Sequence, residues 1–433
     1  MVIKIGKNKS AVLYYLFSSV FVKAVLFIIT PLISRALTPH EFGLYALYTA
    51  YLSITSVLLT LEMSGVGIYR ELSKKDETAG FLSSLLLLQL ALTVFAFLIF
   101  IPFQRAFSDY TGLSSLALSF VILQSALSSV EGIYLAKCRY ELQYRRAAII
   151  NLLSGTLGAL LSLLLIMRFN LSYEGRIIGQ ALISLIFAIP MAVGIFSRGA
   201  HLDISAVKYL IFTLLPLLPH YLSRSLTVQV GKIVVSKLLT ESELGAYGAA
   251  MSVSLAVSLV SAAMSNAVLP WINRSLLQDG FYRITKTLFR SVFLLLSLCL
   301  IFILLVPILF RALYPSEYYG GIFAVYPLCL SVIFVFISGA YNQLILRDRG
   351  SFTVSLISIF GSLLCTLLSV VLARRLSLFG VGLALLISEA STTLIKGALL
   401  SKRIKFCAFL PAGVSVVSLC FFAPVMLQIS NIF

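Results

Sequence analysis

Charge is what this sequence has least of. Only 11% of its 433 residues are Asp, Glu, Lys or Arg, and just 16 are acidic. A water-soluble domain carries roughly 25% charged residues, so this chain cannot cover a surface that faces water. The six cysteines (Cys138, Cys299, Cys329, Cys365, Cys407 and Cys420) show no paired spacing, which excludes a disulfide framework or a CxxC redox site. The three histidines, His40, His201 and His220, do not cluster at metal-ligand spacing, so neither a metal nor another cofactor is expected. Long polar segments are missing as well. The longest connection between apolar stretches spans residues 271–286, too short for a separate aqueous domain. A membrane-embedded polymerase or glycosyltransferase would present carboxylates or bases on a sizeable water-exposed loop; here the acids are dispersed and the loops tiny. A non-enzyme is expected.

What fills the chain instead is apolar sequence, 60% of all residues. A bilayer core of about 30 Å takes about 20 apolar residues in helix. Such stretches fall near 11–34, 42–66, 79–101, 114–137, 147–167, 175–196, 207–236, 245–270, 286–310, 322–346, 351–373, 378–400 and 406–429. They are long and continuous, unlike the alternating segments of about ten residues that build a transmembrane barrel. The predicted fold is therefore all-α, a polytopic helical membrane protein of thirteen spans. MVIKIGKNKS at the start looks like a signal-peptide n-region. The run behind it is too long and lacks a small-residue cleavage site, so it is expected to stay as the first span.

The net charge of +17 would suggest nucleic acid in a soluble protein, but the basic residues are scattered over short loops, with no run suited to a phosphate backbone. They carry orientation instead. With a cytoplasmic N-terminus, 21 Lys and Arg fall on the inner side and 7 on the outer. A multi-pass membrane protein follows, its C-terminus outside if all thirteen segments span.

One polar dozen is written twice. SRALTPHEFGLY at 34–45 returns as SKLLTESELGAY at 236–247, keeping Ser, Leu, Thr, Glu, Gly and Tyr at a constant offset of 202. Each copy holds T-x-x-E, the capping box that starts a helix, and Pro39 sits at the first helical position, where its missing N–H costs nothing. Two echoes keep nearly the same offset, GIY at 132–134 with GAY at 339–341, and LSYEG at 171–175 with LSLFG at 376–380. The chain thus reads as parallel repeats, a six-helix lobe over 1–200 and another over 201–401, with 402–433 an additional helix.

Ionisable groups inside a membrane cost about 2.5–3.5 kcal/mol each at the helix centre, so they need a reason. Lys23 lies deep in the first span, as a structural partner to a carboxylate such as Glu131 or as a cavity-lining cation. In the seventh, Pro216 and Pro219 are predicted to break the hydrogen-bond ladder, either as a plain kink or as the mark of a transport site, with His220, Arg224, Gln229 and Lys232 close behind. Lys23, Arg224 and Lys232 together would make a cationic chamber suited to an anionic headgroup, Arg as a bidentate fork and Lys as a point charge. Gln124, Ser128 and Glu131 share a face of the fourth span. Glu62 and Glu131 are candidates for a coupling proton or sodium ion, or simply helix-end acids. Glu389 and Lys396 share a face of the twelfth and are placed to neutralise each other. Asn266, Asn342 and Gln343 are suited either to sugar hydroxyls or to knitting helices together.

The twin lobes, the early S-R-x-L-T-P-x-E-F-G-x-Y turn and the P-L-L-P-H stretch at 216–220 resemble the Wzx-type polysaccharide repeat-unit flippases. These belong to the multidrug/oligosaccharidyl-lipid/polysaccharide exporter superfamily. The resemblance covers about residues 5–400. It implies flipping of an undecaprenyl-pyrophosphate-linked oligosaccharide across the bacterial inner membrane by alternating access, for O-antigen or capsule. Cavity cations would engage the pyrophosphate, a role that falls here on Lys23, Arg224 and Lys232. Membrane lipids and the polymerase or ligase machinery would be its neighbours. Many relatives carry Asp-Arg where this chain has Gly231-Lys232, and a thirteenth segment exceeds their usual twelve. A cation-coupled multidrug exporter and a peptidoglycan-precursor flippase are the alternatives within the superfamily; the former commonly places an acid in its first helix, and 11–34 contains none.

Overall fold

The computed structural model describes residues 5–65, 67–73, 78–197, 199, 203–276, 281–401 and 413–414. Among them every regular element is helical: α1 (Ile5–Ala36), α2 (Pro39–Thr60), α3 (Gly67–Leu72), α4 (Ala79–Thr111), α5 (Ser115–Tyr140), α6 (Tyr144–Phe169), α7 (Tyr173–Phe196), α8 (Ile204–Tyr209), α9 (Leu215–Leu238), α10 (Glu241–Leu276), α11 (Phe281–Leu313) and α12 (Ile322–Ser401). Ten runs among the described residues are long and apolar enough to cross a membrane. One of them, Phe352–Ser401, is two rods, because Ser377 leaves helical geometry at φ 49. α1, at 32 residues, also has the length to cross. These rods account for the first twelve expected segments; the thirteenth, at 406–429, lies outside the described residues apart from 413–414.

Apolar faces left open identify the solvent of these helices. On α4, Leu90, Val94, Phe95 and Leu98 are all half or more exposed, and on α11 Ile301, Leu304 and Ile308 are as well. Such contiguous surface is stable against lipid and not against water.

The chain forms two compact units, residues 1–236 with 240–248, and 237–239 with 249–433. In the first, α1 packs on α6, α6 on α7, and α5 against α2, α4 and α7. Its apolar core gathers where α2 ends and α4 begins: Met63, Ile68 and Leu72 lie against Phe81, Leu85, Ile133, Ile195 and Tyr209. The turn that delivers Met63 is tight, since Leu61 (φ 47) and Glu62 (φ 54) are both left-handed, a conformation that costs an L-residue roughly 1–2 kcal/mol. In the second unit α11 packs on α12, and Lys396 donates to Ser338 Oγ at 2.6 Å, with Lys396 and Glu389 both buried.

The duplicated dozen folds twice into the same cap. Thr38 and Glu41 hold each other's backbone at the start of α2, and Thr240 and Glu243 repeat every bond at the same distances at the start of α10. The two copies also meet. Gly43 lies against the backbone of Glu241 and Gly245, where a β-carbon would come within 3.0 Å of both, and one on Gly245 would collide with the Pro39 carbonyl. His40 Nδ1 reaches Glu241 at 2.6 Å across the exposed rim of this contact. Glycine recurs in the motif because backbone touches backbone there.

Candidate functional site

α9 departs from the expected break. Pro216 cannot donate to the preceding turn, and instead of a gap the chain widens into one π turn at Leu210–Leu214, where the Leu215 N–H bonds Leu210 O. The rod continues to Leu238, with Pro219 inside it. The prolines therefore bend a continuous helix.

Below that bend α9 faces α2 across a polar seam. Lys232 Nζ donates to Thr49 Oγ1 at 2.9 Å, and Ser225 Oγ meets Ser53 Oγ at 3.0 Å. The pairing descends α2 as it climbs α9, so the helices run antiparallel. Between the two bonds Gln229 turns a buried Oε1 that has no partner. Around the same helix, Ser56 meets Ser125 at 3.0 Å, and Tyr48 donates its hydroxyl to Gln124 Oε1 at 2.6 Å.

Two cations are sunk into this region. Lys232 is 8% exposed, and among the described residues no carboxylate lies within ion-pairing reach of it. Arg176 of α7, 5% exposed, stacks its guanidinium over Tyr45 at 5.5 Å and leaves Nη1 without a partner. Tyr45 and Thr49 are one turn apart on α2, so that helix carries both contacts. A buried ion costs several kcal/mol unless a counter-charge offsets it. One hydroxyl and one aromatic face are a small return for two cations.

Of the other candidates, Arg224 is exposed, eight residues from Lys232 along α9, and His220 is half-buried beside Tyr221, their rings 5.6 Å apart. Lys23 is exposed on α1, where Val22 fills the space above Gly155 of α6. The structure thus places Ser225 and Lys232 with their α2 partners on one seam, with Gln229 between them along α9, ties Gln124 to Tyr48, and leaves Lys23 and Arg224 open.

The two acids lie toward the other end of the unit. Ser64, in the turn after α2, sits close enough to Gly132 that a β-carbon there would come within 2.7 Å of its Oγ, and Glu131 is the next residue of α5. Glu131 Oε1 is buried without a partner. Glu62 lies just past the end of α2, facing Tyr221, and burial raises its carboxyl above the ordinary carboxylate range.

Residues 32–293 match the sequence pattern of the family described as polysaccharide biosynthesis proteins. The chain belongs to that family. No significant match exists among curated proteins. Among solved structures, this polysaccharide biosynthesis protein is similar to the MATE multidrug transporter DinF-BH in complex with R6G. The TM-score is 0.64 at 17% identity, covering 94% of this chain and 97% of that one. It resembles a MATE family transporter of the MOP superfamily both in its inward-facing conformation (0.63, 15%, 92% and 96% covered) and in its outward-facing one (0.62, 14%, 94% and 99%). At these identities the likeness establishes the fold, a MATE-like bundle. With ten spanning runs among the described residues, the chain is multi-pass in the membrane.

Thr49, Ser53 and Arg176 went unnoticed in the sequence. The first two had a signal: Tyr45, Thr49, Ser53 and Ser56 mark one helical face at three- and four-residue spacing. Arg176 had none, since a basic residue near a span end reads as topology until its burial is seen.

Proposed function

We propose that this protein is a transporter, a flippase for undecaprenyl-pyrophosphate-linked oligosaccharide repeat units, serving O-antigen or capsule synthesis at the bacterial inner membrane. The observation that carries the reading is Lys232, a cation buried beside α2 with no carboxylate among the described residues to neutralise it. A pyrophosphate supplies that missing charge, and strongly so in a water-poor site. Arg224, open on the same helix, adds a forked donor suited to phosphate oxygens, and Lys23 adds a point charge from α1. His220, Gln229 and Gln124 are the polar groups assigned to the sugars. The two lobes, 1–200 and 201–401, alternate access around this chamber, and Glu62 with Glu131 takes up the coupling proton or sodium ion. Membership of a polysaccharide biosynthesis family supports a glycan cargo.

The test is the sidedness of lipid-linked oligosaccharide in the native bacterium. Deletion of the gene should strand repeat units on the inner leaflet and abolish surface glycan. Wild-type protein should restore both, whereas Arg224→Ala, inserted at normal levels, should not. Normal glycan export in the deletion strain, with drug efflux reduced, would replace this reading by that of a multidrug exporter.

A further inference from the structure

At the opposite end of the first unit from the α2 capping box, a second basic site lies between α5, α6 and α7. It is a polar pocket of ≈ 170 Å³, with Lys137 and Arg146 among its walls and Glu141 as their acid. At about 30 Å³ per water, that volume holds a handful of waters or one phosphate group with room to spare. We propose that this pocket binds a phosphate group, and that its occupant is the headgroup of an acidic phospholipid.

The walls are built and held. Lys137 is 6% exposed, on the last turn of α5. Arg146 lies over the Tyr134 ring at 5.4 Å. Glu141 is already engaged, taking a hydrogen bond from Gln143 Nε2 at 2.8 Å and standing 4.0 Å from Lys137 Nζ. The chain reversal between α5 and α6 is pinned by Gln143 N–H donating to Cys138 O at 2.8 Å and by left-handed Leu142. Among the described residues that line the pocket, Lys137 and Arg146 outnumber the one carboxylate, Glu141.

The start of α6 sharpens the argument. Its N-cap, Gln143, makes no side-chain capping bond, its first turn has no acid, and Arg145 and Arg146 occupy that turn. A helix start favours negative charge by roughly 0.3–1 kcal/mol per group, so two arginines there have the wrong sign. A bound anion corrects both faults at once: it lies at the positive end of the α6 dipole and pairs with the Arg146 guanidinium. α5 and α7 both end at this pocket, which puts it at the boundary of the membrane, where phospholipid headgroups lie. Basic pockets between helices on the cytoplasmic side are sites for such headgroups. The site differs from the seam at Lys232 and does not depend on what the transporter carries.

Gly194 provides a clean test, because it lines the pocket from α7 and a β-carbon there meets nothing within 4 Å. Gly194→Leu fills the space and leaves every charge in place. Hydrogen exchange would be followed over residues 143–147 in full-length protein. The protein would be placed in nanodiscs of phosphatidylcholine, of phosphatidylcholine with phosphatidylglycerol, and of phosphatidylcholine with inorganic phosphate added. Phosphatidylglycerol should slow exchange about tenfold, the factor expected at a ligand concentration ten times Kd. Gly194→Leu and Arg146→Gln should both abolish that protection. Protection by phosphate as well as by phosphatidylglycerol would keep the phosphate site and overturn the lipid as its required occupant. Equal exchange in all three conditions, or protection that survives Gly194→Leu, would leave the pocket to water and refute the proposal.

Discussion

The backbone contact inside the duplicated motif can be tested by adding one methyl group. Glycine in a helix interior is about 1 kcal/mol worse than alanine, so Gly→Ala on a helix should stabilise wherever space allows. Gly339 is such a place, helical and with nothing within 4 Å of where an added β-carbon would lie, and Gly339→Ala should gain close to that amount. At Gly245 the methyl would overlap the Pro39 carbonyl oxygen. The obstacle is backbone on a capped helix start, so it cannot rotate aside; α2 and α10 must separate locally. Overpacking of this kind costs about 1–3 kcal/mol, and a backbone overlap this close puts it toward the upper end, which turns the expected gain into a net loss of up to about 2 kcal/mol. Gly43→Ala meets its neighbours less severely, at 3.0 Å, and should fall between the two. At about 2–4 °C per kcal/mol for a unit of some 240 residues, thermal unfolding in detergent resolves the order Gly339→Ala, wild type, Gly43→Ala, Gly245→Ala. Should Gly245→Ala raise the midpoint as Gly339→Ala does, the two copies of the dozen do not touch and the reason given for their glycines is wrong.

Other consequences concern charge and turn geometry. Lys232→Met should leave the protein as stable as wild type or more so, since it removes a buried ion of several kcal/mol cost, yet lower glycan export at least tenfold; wild-type export in that variant would end the role given to Lys232. Arg176→Met should likewise keep or raise thermal stability, and an unfolded variant would mean that the guanidinium has a partner beyond Tyr45. Burial raises the Glu62 carboxyl, so folding favours its protonated form relative to the unfolded chain. That contribution is full below the unfolded pKa and is lost as pH rises through the folded value. Glu62→Gln should therefore flatten the fall in unfolding midpoint between acid and neutral pH, and an unchanged pH profile would show the side chain to be solvated. Leu142 is exposed and left-handed (φ 61), so Leu142→Gly should gain about 1 kcal/mol, measurable as a higher midpoint with export unaltered.

Much of this was open to reading in the sequence, for reasons that are local. Each apolar run had to become a helix, because only a helix satisfies its own backbone in lipid. Thr38 with Glu41, and Thr240 with Glu243, had to start helices, because a capping box closes within four residues. Burial of Lys232 followed less directly: its position deep in an apolar run marked it as costly, but whether a carboxylate from another helix met it was a question of packing. The same holds for Pro216, whose missing donor was legible while the π turn that absorbs it was not. That choice depends on how α8 and α9 lie against their neighbours.

Sequence by itself determined the membrane as solvent, the helix count over the first 400 residues, the repeat and its caps, since each rests on composition or on contacts a few residues apart. Tertiary structure alone decided that Gly43 meets Gly245, that Thr49 receives Lys232, that Arg176 is buried over Tyr45, and that Lys137, Arg146 and Gly194 enclose one pocket. Those pairs lie up to two hundred residues apart in the chain. In a sequence so uniformly apolar, periodicity marks which residues are polar but not which helix each will face, and that choice is made by shape where glycine and serine let backbones approach.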